Sequence, residues 1–299
     1  MSILVVGTVA YDSVRTPYGE VTEALGGSAT YFSAAASFFA PIDIVAVVGH
    51  DFAHDRLQFL KKRNVDFSGL EIADGLTFRW AGEYEPNMND RETLDTQLNV
   101  LLDFKPVLND THKKKPFIFL ANIDPELQSE VLSQVTQPHL TVCDTMDFWI
   151  SGKREALEDT LSQVDILIIN DSEARQLSSE CNLVKAGRYI LQVGPRAVVI
   201  KRGEHGATLV TEDTYFAVPA YPVISVTDPT GAGDSFAGGF VGYLAREGDT
   251  SDNGLKRAMI HGSVMASFNV EDFSVRRLEI LVNHEIEHRL ESFVEMLRF

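Results

Sequence analysis

Four short apolar runs, FIFLANI, LTVCDT, DILIIN and AVVIKRG, constrain this chain more than any other feature. Polar residues or glycines bound each run, and helical stretches lie between them. Uninterrupted aliphatic runs of this length mean strands buried on both faces, as in a parallel sheet covered by helices. The N-terminus opens the same way, with Ile3 to Val6 ending at Gly7. IDIVAVVG repeats the pattern before the helix DRLQFLKKRN. In such a sheet ligands bind beyond the C-terminal ends of the strands.

The stretch from Asp74 to Phe104 departs from this pattern. TFRWAGEY alternates and carries aromatics, EPNMND reads as a turn, and TQLNV as a further strand. The expectation is an antiparallel excursion from a parallel core. With no internal repeat and no low-complexity linker, residues 1–299 read as a single domain. HKKK reads as a solvated loop. The net charge of −17 speaks against a nucleic-acid or anionic-membrane partner. It does not exclude an anionic small molecule, because local N–H groups outweigh a global charge. Cys143 and Cys181 make no disulfide framework and read as reduced thiols of a cytosol. MSILVVGTVAYDS has no basic leader region and meets Asp12 early, and no apolar run reaches membrane-spanning length. A cytoplasmic location is expected.

DPTGAGDSFAGGF places Gly231, Ala232 and Gly233 directly before Asp234. Phe236, Phe240, Tyr243 and Leu244 follow at helical spacing, and Gly248 suits a C-terminal cap. The small residues therefore sit at a strand-to-helix junction, with N–H groups pointing the same way. That is an anion site. A carboxylate beside an anion site is unhelpful unless it does chemistry, and taking a proton from a nucleophile is the chemistry that fits. Asn170 and Glu173 close the DILIIN strand at the ligand edge. Their residue types fit a helix N-cap with its first-turn acid.

DPTGAGDSFAGGF closely resembles the C-terminal signature of the ribokinase-like (PfkB) carbohydrate kinases. The resemblance continues in chain order. LGGSATYFSAAASF is similar to the family's double-glycine motif. VVGHDFAHDRLQFLKKRNVDFSGL resembles its stretch from a strand through a Gly-x-Asp turn and helix into the lid. NDSEA fits its Asn-x-x-Glu pattern, and VVIKRGEHGATLV its nucleotide-side strand and glycine turn. The resemblance implies a three-layer α/β sandwich with a mostly parallel central sheet. It also implies a small β-sheet lid, made by segments at approximately 11–24 and 74–104.

The activity it implies is phosphoryl transfer from ATP to a hydroxymethyl group. Asp234 is then the base, and the backbone of Gly231, Ala232 and Gly233 the anion hole. Asn170 and Glu173 organise Mg²⁺ through waters. Lys201, Gly203 and Gly206 lie on the nucleotide side, with His261 near the adenine. Asp12 binds sugar hydroxyls, and Gly26 and Gly27 let the substrate approach the backbone. Asp228, Thr230 and Ser274 occupy the places of a monovalent-cation (K⁺) site. Phe78, Trp80 and Tyr84 belong to the lid, which excludes water and, by the family's habit, forms a homodimer. Arg79 and Arg91 lie on the lid within reach of substrate, although surface charge is the plainer reading.

Three positions depart from ribokinases proper. Ala10 and Tyr31 stand where asparagines are usual, and Asn122 stands where a glutamate is. Losing polar contacts changes discrimination strongly. A sugar kinase is the leading reading. A nucleoside kinase is second, since Tyr31 could stack on a base. A catalytically silent nucleotide or sugar sensor is a third class, opposed by the intact Asp234. No P-loop and no protein-kinase signature set occurs. HEIEH, His284 to His288, matches a zinc-protease pattern by its letters alone. Both histidines fall opposite the apolar stripe of Val282, Ile286, Leu290, Phe293 and Leu297, toward solvent.

Overall fold

The computed structural model describes residues 1–298. The chain opens with β1 (Ile3–Val6), a hairpin of β2 (Ala10–Thr16) and β3 (Gly19–Gly26), and α1 (Ser28–Ala36). β4 (Ile42–Gly49), α2 (Gln58–Lys62) and β5 (Val65–Ala73) follow, then a second hairpin, β6 (Arg79–Tyr84) and β7 (Arg91–Gln97). Strands and helices then alternate: β8 (Phe117–Leu120), α3 (Pro125–Gln134), β9 (Leu140–Asp144), α4 (Asp147–Gly152) and α5 (Arg154–Leu161). Next come β10 (Ile166–Asn170), α6 (Asp171–Ser178), α7 (Leu183–Val193) and β11 (Ala197–Lys201). β12 (Ala207–Thr211) and β13 (Tyr215–Val218) close the strands. α8 (Ala232–Glu247), α9 (Asp252–Asn269), α10 (Arg276–Ile280) and α11 (Asn283–Met296) complete the fold.

Nine strands form the main sheet in the order β13-β12-β11-β10-β9-β8-β1-β4-β5. All neighbours from β5 to β11 are parallel, and only β12 and β13 run antiparallel. The apolar runs split by alternation between two cores. Ile3, Val5, Phe117 and Phe119 face one side with α1, α8 and α9, while Leu4, Val6, Ile118 and Leu120 face the other. Burial on both faces is why the sequence reads as unbroken aliphatics. The C-terminal ends of β8, β9, β10 and β11 bring Asn122, Asp144, Asn170 and Lys201 to one edge. No helix among the described residues is long and apolar enough to cross a membrane.

The second sheet has four strands in the order β3-β2-β6-β7. Its strands fall at the segments expected of a lid, and β6 and β7 pair antiparallel, as expected of the excursion over 74–104; β2 and β6 run parallel and join the two antiparallel hairpins. Val65–Ala73, read as a passage into the lid, is instead an edge strand of the main sheet. Val14, Tyr84 and Phe273 form a small core beneath the lid. AVPAYPVISVTD contributes only β13; the rest of that segment is irregular up to α8.

α8 and α1 pack closely because α8 offers glycines. A Cβ on Gly238 would lie 2.4 Å from the Phe32 carbonyl oxygen and 2.8 Å from the Ala35 Cβ. Gly238→Ala gains about 1 kcal/mol of helix propensity. Forcing two helices apart costs roughly 1–3 kcal/mol or more, and a backbone contact this short puts it at the upper end. Thermal unfolding should show Gly238→Ala less stable than wild type. Gly152→Ala, whose Cβ meets nothing within 4 Å, should be neutral or slightly stabilising. Equal midpoints for the two variants would refute the packing argument.

Candidate active site

The anion site forms where α8 begins. Gly231 is the N-cap, at φ 74° and ψ 2°. The ring of Tyr31 lies so near that a Cβ on Gly231 would sit 2.3 Å from it. Left-handed backbone and close approach together require glycine there. The N–H groups of Gly231, Gly233 and Asp234 find no acceptor among the described residues. The Ala232 N–H does not join them, because it donates to the Pro229 carbonyl at 3.1 Å. Where an anion hole is expected at residues 231–233, the N–H groups without an acceptor are thus those of Gly231, Gly233 and Asp234. They stand at the positive end of a 16-residue helix.

Asp228 anchors the loop before it. Its Oδ1 accepts from the Thr230 N–H at 2.9 Å and its Oδ2 from the Ser274 N–H at 3.1 Å. The Thr230 hydroxyl donates to Tyr84 Oη of the lid at 3.3 Å, and the Ser274 hydroxyl donates to the Leu25 carbonyl. Asp228, Thr230 and Ser274 are brought together as expected, with their polar atoms hydrogen-bonded to one another, to Leu25 and to Tyr84 of the lid. Asn269 joins them, donating to the Thr230 carbonyl at 2.7 Å and accepting from the Ser235 hydroxyl at 3.0 Å.

Asp234 sits in the first turn of α8 and is half-buried. Desolvation, then the neighbouring Asp144, pushes its carboxyl up to about 8; Lys201 opposes them. Asp144 ends β9 and Lys201 ends β11. The Lys201 ammonium lies 3.5 Å from Asp144 Oδ2. Burial raises Asp144, and Lys201 works against it. Sequence reading missed Asp144. Its signal was available, because it closes the LTVCD strand at the same edge as Asn170 and Lys201.

Asp12 is buried on β2 and lies over the double glycine. A Cβ on Gly26 would come within 2.0 Å of Asp12 Oδ2. Gly27, at φ 95°, would press a Cβ to 2.4 Å from the Thr8 carbonyl oxygen. Burial pushes Asp12 up to about 7, against the pull of the Gly27 N–H. Tyr31 is 1% exposed, with its ring against Gly231. It offers no open face on which a base could stack, which corrects that expectation. Its buried hydroxyl has no hydrogen-bond partner among the described residues. Asn122 is at the edge, but its Oδ1 already accepts from Trp149 Nε1 at 3.0 Å.

Asn170 and Glu173 make a capping box on α6. Asn170 Oδ1 accepts from the Glu173 N–H at 2.8 Å and from the Ser172 hydroxyl at 2.9 Å. Glu173 Oε2 accepts from the Asn170 N–H at 2.9 Å, which leaves Oε1 without a partner among the described residues. Burial pushes Glu173 up to about 7, with Lys201 opposing. A water-ringed Mg²⁺ fits that free oxygen; the Asn170 carbonyl is spent on the cap. Gly203 and Gly206 form the turn after β11. Gly203 faces the lid tip, where a Cβ would meet Asn89 Oδ1 at 2.7 Å, and Asn89 donates to Glu204 at 3.3 Å. Arg91, on the lid, lies over Trp80 at 5.3 Å and carries its charge toward Tyr84, Glu173 and Asp147.

The His261 ring stacks on Tyr243 at 4.1 Å and meets Phe39 edge-on, between α8 and α9. Burial pushes it down to about 4. His284 and His288 are both exposed, as expected of a solvated face. Asp43, Asp66 and His112 cluster at the opposite, N-terminal ends of β4 and β5. There Lys115 already donates to Asp43 at 2.6 Å and fills the place of a cation.

A family model for pfkB family carbohydrate kinases matches residues 1–280. The chain belongs to the pfkB family. It is 29% identical over 251 residues to a cytidine kinase of Thermococcus kodakarensis, a match covering 82% of this chain and 89% of that protein. It is 23% identical over 297 residues to an inositol 3-kinase of Arabidopsis thaliana, covering 97% and 79%. A putative ribokinase II from E. coli, solved in complex with ATP and Mg²⁺, superposes with a TM-score of 0.79 at 20% identity, covering 97% of this chain and 99% of that one. That likeness establishes the ribokinase-like fold.

Asp12, Glu173 and Asp234 all hold their protons more tightly than an ordinary carboxyl. Each therefore stabilises the fold while protonated, fully below about pH 4, and loses that contribution as pH rises through 7 to 8. The ligand-free protein should unfold at a lower temperature at pH 9 than at pH 6. Asp12→Asn should flatten the difference, and an unchanged slope would show that Asp12 is ionised throughout.

Proposed function

We propose that the protein is an ATP-dependent kinase that phosphorylates a hydroxymethyl group of a sugar. The observation that carries this reading is Asp234 placed in the same helical turn as three unpartnered N–H groups. The acceptor hydroxyl attacks the γ-phosphorus, and Asp234 takes its proton as the new P–O bond forms. The bond from phosphorus to the β,γ-bridging oxygen breaks, and ADP leaves. The N–H groups of Gly231, Gly233 and Asp234 receive the transferring phosphoryl, whose charge they meet without reorganising. A base raised toward neutrality is a stronger proton acceptor than an ordinary aspartate, and is still partly ionised at working pH.

Asp12 accepts bonds from the acceptor's hydroxyls, and the bare backbone at Gly26 and Gly27 lets the ring approach. The turn at Gly203 and Gly206 borders the nucleotide. The lid keeps water from competing for the phosphoryl group. Mg²⁺ entering with the nucleotide would neutralise charge on its phosphates, its water shell held by Glu173 Oε1, which the cap from Asn170 keeps in place. A nucleoside acceptor is the second reading, favoured by the likeness to the cytidine kinase. The ribose of a nucleoside presents the same hydroxymethyl group, so the chemistry at Asp234 is unchanged.

The test is ADP release from ATP and Mg²⁺ against pentoses, hexoses and nucleosides. One class should raise ADP release, and Asp234→Asn should lower kcat by roughly 10²- to 10⁴-fold. Nucleotide affinity should be preserved in that variant. A silent sensor would release no ADP with any acceptor and would respond to neither change. The kcat/KM profile should fall on the acid side with an apparent pKa nearer 8 than 4. A flat profile down to pH 5 would remove Asp234 from the role of base.

A further inference from the structure

Lys201 is placed where a cation has reason not to be. Gly233 is the second residue of α8, and a Cβ there would meet Lys201 Nζ at 2.8 Å, with Cε and Cδ following at 3.6 and 3.7 Å. The side chain thus ends against the first turn of the helix, the positive end of its dipole. An ammonium at that end is repelled by the same N–H groups that attract an anion. Acids surround it: Asp144 at 3.5 Å, with Glu173 and Asp234 close enough to hold its proton on. Its link to Asp144, at 3.5 Å, is long and occupies one N–H donor; the side chain is 17% exposed, and the ammonium's other N–H groups have no acceptor among the described residues.

Two sets of unspent donors therefore face one another across a small gap. One is the N–H set of Gly231, Gly233 and Asp234; the other is the Lys201 ammonium. Either alone would accept an anion. Together they fit a tetrahedral group with oxygens on several sides, and the acids around Lys201 keep it charged until that group arrives. A compact ammonium suits the place better than a guanidinium, because its donors rotate to follow oxygens that move during transfer.

We propose that Lys201 binds the γ-phosphate of ATP and stabilises it as it is transferred, and that Asp144 is the positioning residue that holds the ammonium there. The inference rests on the kinase reading and adds a side-chain cation to its backbone anion hole. As the phosphoryl group moves from the bridging oxygen to the acceptor, negative charge stays within reach of the ammonium. Charge is thereby balanced by a group fixed in the fold. Asp144 acts through Lys201 and touches no substrate itself.

The experiment is calorimetric binding of ATP, ADP and AMP, each with Mg²⁺, to wild type, Lys201→Met and Asp144→Asn. Lys201→Met should lose about tenfold or more in ATP affinity, the order expected when a charge-assisted hydrogen bond goes. AMP affinity should hold within about twofold, because its phosphate stops short of the site. In Asp144→Asn the ammonium loses the neighbour that most raises its pKa, so ATP affinity should fall away at lower pH than in wild type. A merely structural role for Asp144 would not move that pH limb. If Lys201→Met fails to fold, as judged by circular dichroism, the comparison of wild type with Asp144→Asn carries the test. Equal loss for ATP and AMP, or no loss in a folded Lys201→Met, would overturn the inference and leave the kinase reading standing. Wild type that binds no nucleotide at all would bring down both.

Discussion

α1 and α8 run side by side and in the same direction, and the cleft depends on how near they come. Gly238 and Gly242 of α8 lie against the Phe32 carbonyl and the ring of Phe39. Carried back to the helix starts, that spacing sets Tyr31 on Gly231 and brings both N-termini to one edge of the sheet. Two parallel dipoles in contact repel one another. The repulsion is relieved by negative charge at their positive ends. At α1 the charge is already there, since Asp12 takes the Gly27 N–H. At α8 the N–H groups are left open. One helix start is thus met by the protein's own Asp12, and the other has N–H groups with no acceptor among the described residues.

Carboxyl groups crowd the same edge. Asp12, Asp144, Glu173, Asp228 and Asp234 are all held above the ordinary carboxylate range, each chiefly by burial. Lys201 opposes the rise at three of them, and Arg91 at three. The site is therefore an arrangement of deficits. It has acids that gain by ionising when a cation or a hydroxyl proton donor is near, and it has donors that gain when phosphate arrives.

Much of this was legible in the sequence because it is local. Both-face burial writes unbroken aliphatic runs, and the α8 junction writes GAGD followed by a helical stripe. The segment from Asp74 to Phe104 showed itself through alternation and aromatics. What escaped depends on contacts between distant segments. That Ala232 spends its N–H on Pro229 is a detail of one turn. That Tyr31 is sealed by Gly231, and His261 by Tyr243 and Phe39, follows from how α1, α8 and α9 pack. Asn170 and Glu173 form the capping box that their residue types suggested, and one Glu173 oxygen stays without a partner among the described residues. Asp144 was passed over because an acid at the end of a strand carries no motif of its own.

The lid tip reaches across to the turn at Gly203, where Asn89 and Glu204 share one exposed hydrogen bond of 3.3 Å. That contact joins the half of the cleft built from Asp12 and the double glycine to the half built from β11. An exposed bond of this length competes with water on nearly equal terms. The lid is thus held mainly by the small core of Val14, Tyr84 and Phe273, and the tip, residues 85–90, adds to it a single water-exposed link.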